Sequence, residues 1–256
     1  MIKLKFLAVL VLLLPAMATV AADGNVEFSA DIVRSIPEQG DQHGKLYIGA
    51  GRMRMEFDSN GDQLIQIMDS HQQTAYMINA TEKSYMLQSA GSGDMMTGAG
   101  SADDTNPCAG MKNISCKRTG EEMINGRLAE KWEFSSTAQP ESGKMVTWLD
   151  KQRRFPLRQS MPDGSATELI MTGTEKINGR KTEKWEMKLT RPEGKSQVSY
   201  QWYDPELKLN ILEKHAGGYT RELRNIRIGK QPAELFTVPA GYKEITMPQA
   251  GDYTQD

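Results

Sequence analysis

The chain has 256 residues, and its 31 basic and 33 acidic side chains leave a formal charge of −2. So mild a balance argues against a nucleic-acid partner, which leaves a basic footprint. Two cysteines and three histidines leave little material for a metal centre.

Residues 1–22 read as a secretory signal peptide. Lys3 and Lys5 make a positive start, Phe6 to Leu14 is an unbroken apolar run, Pro15 breaks it, and Val20-Ala21-Ala22 offers small residues for cleavage. The run is too short for a spanning helix, which needs ~20 apolar residues. The first cysteine is Cys108, so an N-terminal lipid anchor is not expected. Without Lys3 and Lys5 the formal charge moves from −2 to −4. No later segment resembles a transmembrane span. The expected product is a periplasmic or otherwise exported soluble chain from about Asp23.

Residues 23–88 form the first expected unit, an antiparallel β-meander. Alternation of period two dominates it. Met53, Met55 and Phe57 fall on one face of their run, and Arg52, Arg54 and Glu56 on the other. Leu46 and Ile48 alternate likewise before the Gly49-Ala50-Gly51 turn. Asp58 to Asp62 contains Asn-Gly, which supports a tight hairpin. Leu64–Met68, Ala75–Ile78 and Tyr85–Leu87 follow at roughly ten-residue spacing.

Residues 89–118 break the pattern. Ser89 to Pro107 is Gly, Ser, Asp and Ala with an isolated Met95-Met96, the composition of a flexible loop. Cys108 and Cys116 lie eight positions apart. In an exported protein they read as one disulfide. Closing so short a loop stabilises by about 2.5 kcal/mol on the chain-entropy model.

Residues 119–171 and 172–246 then say the same thing twice. TGEEMINGRLAEKWEF spans 119–134 and TGTEKINGRKTEKWEM spans 172–187, an offset of 53 from Asn125 to Asn178. Trp148-Leu149-Asp150 and Trp202-Tyr203-Asp204 repeat at an offset of 54. Such a period marks one supersecondary unit used in tandem. Asn-Gly in each copy predicts a two-residue hairpin turn. Asp163-Gly164 and Gly217-Gly218 predict the next hairpins. Each unit is then about four strands, and the two continue one sheet. A short helical turn is expected over Pro232–Phe236, and residues 247–256 are a polar tail.

Chemistry finds few candidates. No Gly-x-Ser-x-Gly elbow, phosphate loop or His-Glu-x-x-His is present. His43, His71 and His215 share no spacing. The Asp58 to Asp62 segment lacks the later ligands of a calcium loop. No catalytic residue, metal ligand or cofactor is nominated. Of 16 methionines, Met1 and Met17 fall in the leader and 14 remain. Methionine is flexible and polarisable, so it suits either ordinary core packing or a deformable apolar wall. The tryptophans come in repeat-matched pairs. Trp132 and Trp185 read as core anchors, Trp148 and Trp202 as nearer an open surface. Arg52, Arg54, Arg153, Arg154, Arg221, Arg224 and Arg227 read as solvated sheet surface, or as a patch for anionic headgroups or an acidic partner.

One resemblance joins these features. Tyr47-Ile48-Gly49, Arg52-Met53-Arg54, the hairpins over 69–85, Ile177-Asn178-Gly179, Trp185, Trp202 and the closing Leu235-Phe236-Thr237-Val238-Pro239-Ala240-Gly241-Tyr242 are similar to an exported bacterial domain family of unknown function. That family is grouped with the LolA/LolB-like lipoprotein carriers. The resemblance implies a mostly β half-barrel: a curved antiparallel sheet with few short helices and an apolar concave face. It implies non-enzymatic binding of a hydrophobic ligand, an acyl chain or lipoprotein. Met53, Met55, Phe57, Met77, Trp148 and Trp202 are the expected lining. The alternative is an envelope protein-interaction or stress-sensing module with a filled core and no ligand. Nothing in the sequence sets an oligomeric state.

Overall fold

The computed structural model describes residues 26–59, 61–72, 74–89, 106–108, 111 and 113–246. The expected leader, most of the Ser89–Pro107 loop and the polar tail lie outside the described residues.

The N-terminal meander comprises β1 (Phe28–Ile36), β2 (Gly40–Gly49), β3 (Arg52–Ser59), β4 (Asp62–Asp69), β5 (Thr74–Asn79) and β6 (Ser84–Ser89). The first repeat supplies β7 (Ile114–Ile124), β8 (Arg127–Ser136), β9 (Lys144–Asp150) and β10 (Pro156–Ser160). The second supplies β11 (Ala166–Ile177), β12 (Arg180–Thr190), β13 (Ser196–Asp204) and β14 (Leu209–Lys214). Then come β15 (Thr220–Ile228) and the short β16 (Lys243–Glu244). The helical elements among the described residues are two 3-10 turns, Pro140–Ser142 and Ala233–Phe236.

All these strands belong to one 16-stranded sheet. Its order runs from β16 through β6 down to β1, then from β15 down to β7. Two meanders therefore meet at the centre, where β1 pairs antiparallel with β15 and Ile32 faces Leu223. β1 is absent from the strands expected above, although Phe28, Ala30 and Ile32 alternate along it and are buried. His43 sits within β2.

The half-barrel expectation is corrected here. The sheet is antiparallel apart from the parallel β16–β6 pair, but it is open and not strongly curled. It ends at β7 on one side and β16 on the other. Its apolar residues are consumed in separate local cores instead of surrounding one shared cavity. The central core gathers Phe28, Ile32, Leu46, Ile48, Leu209 and Leu223. A second, in the repeats, gathers Ile124, Ala129, Trp148, Leu157 and Trp185. A third packs Ile65, Ile67 and Ile78 against Phe236.

The repeated phrase has one structural meaning used twice. Asn125 and Gly126 take φ of 48° and 78°, and Asn178 and Gly179 take 49° and 78°. That is the backbone an Asn-Gly hairpin turn requires. Arg127 pairs with Asp150, and Arg180 pairs with Asp204 in the same way. Asp150 Oδ1 also accepts from the amides of Gln152 and Arg153, as Asp204 Oδ1 does from Glu206 and Leu207. The Trp148 indole donates to Glu122 at 2.7 Å, and the Trp202 indole to Glu175 at 2.7 Å. Thr-Gly in each copy marks a β-bulge, between Arg118 and Gly120 and between Met171 and Gly173. Each hairpin tip also reaches the next unit. Asn125 donates to Glu168 at 3.1 Å, and Asn178 to Glu222 and the Leu223 carbonyl at 3.0 Å.

Candidate functional site

The six residues expected to line a ligand face do not form one site. Met53 is buried in the central core, with Met55 and Phe57 packed beside it. Met77 shares their face two strands away, in a row where Met55 faces Gln66 and Gln66 faces Met77. Trp148 belongs to the separate core of the repeats. Trp202 is buried elsewhere, held by its bond to Glu175. The Arg34 guanidinium lies 3.8 Å from the Phe57 ring centre, closing one end of the methionine row with a cation–π contact.

The opposite face of the N-terminal meander is covered by the chain itself. After β15 the segment from Ala233 crosses it, and Leu235, Phe236, Val238 and Tyr242 pack on Tyr47, Ile65, Ile67 and Ile78. Phe236 is 5% exposed. A Cβ on Gly49 would lie 2.7 Å from the Phe236 ring, so glycine is needed there for the ring to seat. Arg54 donates to the Leu235 carbonyl at 2.8 Å and to Glu56 at 2.6 Å, and Arg52 stacks over Phe236 at 4.8 Å. Both arginines, expected as solvated surface, instead fasten this segment. β16 completes the closure: the Lys243 amide donates to the Lys83 carbonyl and the Ile245 amide to the Tyr85 carbonyl.

Two surface depressions are open and polar. One, of about 500 Å³, is lined by Asn178, Gly179, Arg180, Arg224, Asn225 and Ile226. The other, of about 420 Å³, is lined by Arg191, Glu193, Lys195, Ser196 and Gln197. No curved apolar face for a ligand is seen among the described residues, which overturns the expected acyl or lipoprotein carrier. The physical reason is that both faces are used by the chain itself: Met53, Met55 and Phe57 pack into or against the central core, and the closing segment covers the opposite face.

A buried polar cluster was also missed by sequence reasoning. Glu213 on β14 receives two bonds of 3.0 Å from Arg221 on β15, with Asn210 at 3.2 Å and His215 at 3.7 Å. Burial alone would raise the Glu213 pKa, but the Arg221 charge and these hydrogen bonds outweigh it and hold it at about 2. Burial likewise raises the neighbouring Tyr219 hydroxyl. The cluster is spent on itself: the buried carboxylate has a bidentate partner in Arg221. Alternation offered no signal for it, because Glu213 and Arg221 meet only through strand register. Among the described residues no group of three or more His, Cys, Asp or Glu side chains could hold a metal ion. No helix among them is long and apolar enough to cross a membrane.

What remains open among the described residues is an edge. β16 is a two-residue strand, whereas β7 is 11 residues long and bounds the far side of the sheet. Most of β7 is exposed, and near its turn Met123 is 60% and its cross-strand neighbour Leu128 40% exposed. Cys116 on β7 is joined in a disulfide to Cys108.

Comparison with known proteins places this geometry beside distant likenesses. Residues 30–153 match a family described as a domain of unknown function, DUF4412. No curated protein matches in sequence. Among solved structures, the chain is similar to a LolA superfamily protein from Nitrosomonas europaea. The two share 9% identity over 86% of this chain and 94% of that one, with a TM-score of 0.39. A lipoprotein-sorting protein domain from Vibrio parahaemolyticus shares 15% identity over 84% of this chain and 91% of its own, with a TM-score of 0.38. MucB, in its complex with MucA from Pseudomonas aeruginosa, shares 9% identity over 80% and 94%, with a TM-score of 0.19. At these scores the strand order described above, and not the likeness, defines the fold.

Proposed function

We propose that the protein is an exported, non-enzymatic protein-interaction module of the envelope whose interior is filled by its own side chains. The observation that carries this reading is the closing segment, in which Phe236 and its neighbours occupy the apolar face of β2 to β5. The long edge of β7 supports it from the other side, since an unpaired strand edge can take a partner strand by main-chain hydrogen bonds. The Cys108–Cys116 disulfide suits an oxidising, exported setting.

The test has two arms. Native mass spectrometry of protein purified from the envelope, with a fluorescent fatty acid as competitor, is expected to show no lipid adduct and no uptake. Photo-reactive residues placed at Thr119 and Met123 in cells are expected to give protein adducts. A stoichiometric lipid adduct, or no protein adduct at either position, overturns the reading.

A further inference from the structure

We propose that β7 pairs with the β7 of a second copy of this chain, antiparallel, with a two-fold axis between Thr119 and Gly120. The inference rests on the protein-interaction reading and names the partner.

The charges on β7 are ordered in a way that fits itself. Lys117 and Arg118 precede the Thr-Gly bulge, and Glu121 and Glu122 follow it. In an antiparallel pair centred on the bulge, Arg118 meets the second copy's Glu121 and Lys117 meets its Glu122. Residues directly opposite must point to the same sheet face. In a regular strand Arg118 and Glu121 would point to opposite faces. The bulge removes that conflict: Arg118 faces Trp132 and Glu121 faces Glu130 on β8, so both share the face of Trp132. Lys117 faces Glu133 and Glu122 faces Ala129, so they share the other. The register also sets the exposed Met123 opposite the second copy's Cys116.

The internal repeat supplies the control. The positions equivalent to Lys117, Arg118 and Glu121 are Ile170, Met171 and Thr174 in β11, a strand that pairs with β12 along its length and with β10 at Ala166–Glu168. Only Glu122 has a charged equivalent, Glu175, and both bind a tryptophan indole. The self-complementary charges thus belong to β7 and not to the repeated fold. Met123 and Leu128 correspond to Lys176 and Lys181, so the edge copy keeps apolar side chains exposed where the internal copy carries lysines. Alone, Arg118 falls back on its own Glu121 at 2.5 Å and Glu130 at 3.3 Å. Charges on an edge strand also deter indiscriminate pairing, leaving only a partner of matching order.

Sedimentation velocity on the full chain tests this. A concentration-dependent dimer is expected, weakened by salt, with β7 amides gaining hydrogen-exchange protection as concentration rises. Arg118→Glu alone, or Glu121→Lys alone, is expected to weaken it about tenfold by placing like charges opposite. Mixing the two variants in equal amounts is expected to restore a heterodimer, because each then meets its complement. Thermal melts check folding, and Lys117→Glu replaces Arg118→Glu if the latter unfolds. A strictly monomeric wild type, or a dimer indifferent to these charges, overturns the inference. Photo-adducts at Thr119 only with other proteins also overturn it, and leave the interaction reading standing; no adducts at all sink both.

Discussion

The two copies of the repeat are the same machine in two environments. Both use Asn-Gly to turn, Arg to grip a buried Asp, and Glu to hold an indole. They differ in what lies beside them. The second copy is flanked on both sides, and its tip residue Ile177 packs against the central core of Phe28 and Leu209. The first copy ends the sheet at β7. Residues that satisfy internal demands of the fold are common to both; residues that face outward follow the neighbour. Shared identity in the repeat therefore reports structure, and divergence reports position.

Paired substitutions would break or sharpen that contrast. The largest effect is expected for Trp185→Ala, which should cost about 3–5 kcal/mol in urea unfolding because a buried aromatic leaves a cavity. Trp185 sits with Ile124, Trp148 and Leu157, edge-on to Phe155 at 5.2 Å. Its counterpart Trp132 is outside that cluster, so Trp132→Ala should cost clearly less; equal losses would erase the distinction.

Next comes acid stability. Gln159 of the first copy occupies the position that Glu213 occupies in the second, again at an offset of 54. A carboxylate lowered to about 2 from an ordinary 4.5 contributes stability that is complete above the ordinary value and fades as pH falls toward 2. Glu213→Gln should flatten stability across that window. An unchanged acid limb would show that Glu213 is not its source. Arg221→Met and Glu213→Gln each strand a buried charge, so both should destabilise at neutral pH, the carboxylate left in Arg221→Met recovering part of that loss by taking up a proton.

The smallest contrast concerns the tips. Asn178 makes two cross-unit hydrogen bonds where Asn125 makes one. Alanine at either also meets a positive φ. Both variants should lose stability, Asn178→Ala by about 1 kcal/mol more, the net worth of one hydrogen bond. Glycine variants, which tolerate the turn, should keep the difference while reducing each loss.

Much of this was legible beforehand in particular residues. The tandem phrase located two units, and Asn-Gly located their turns. Met53, Met55 and Phe57 do share a face, and a helical turn does precede Thr237. The bulge escaped notice because Thr-Gly reads as an ordinary strand pair until its partner strand is known. Arg54 and Arg221 looked solvated because alternation assigns charge to water; both are buried, Arg54 bonded to the far-off Leu235 carbonyl and Arg221 to Glu213 on the neighbouring strand.

By itself the sequence determined what is local: alternation of period two, turn chemistry, and the doubling of one unit. Each follows from backbone sterics or from side-chain period within a few residues. Only the tertiary structure decided which strands became neighbours. β1 meets β15 across nearly the whole chain, and Phe236 returns to Gly49 and Ile67 to cover an apolar face. Such choices depend on the total area that many separated side chains bury together. No single stretch carries that sum, so whether the face was open to a ligand or closed by the chain itself could be settled only in three dimensions.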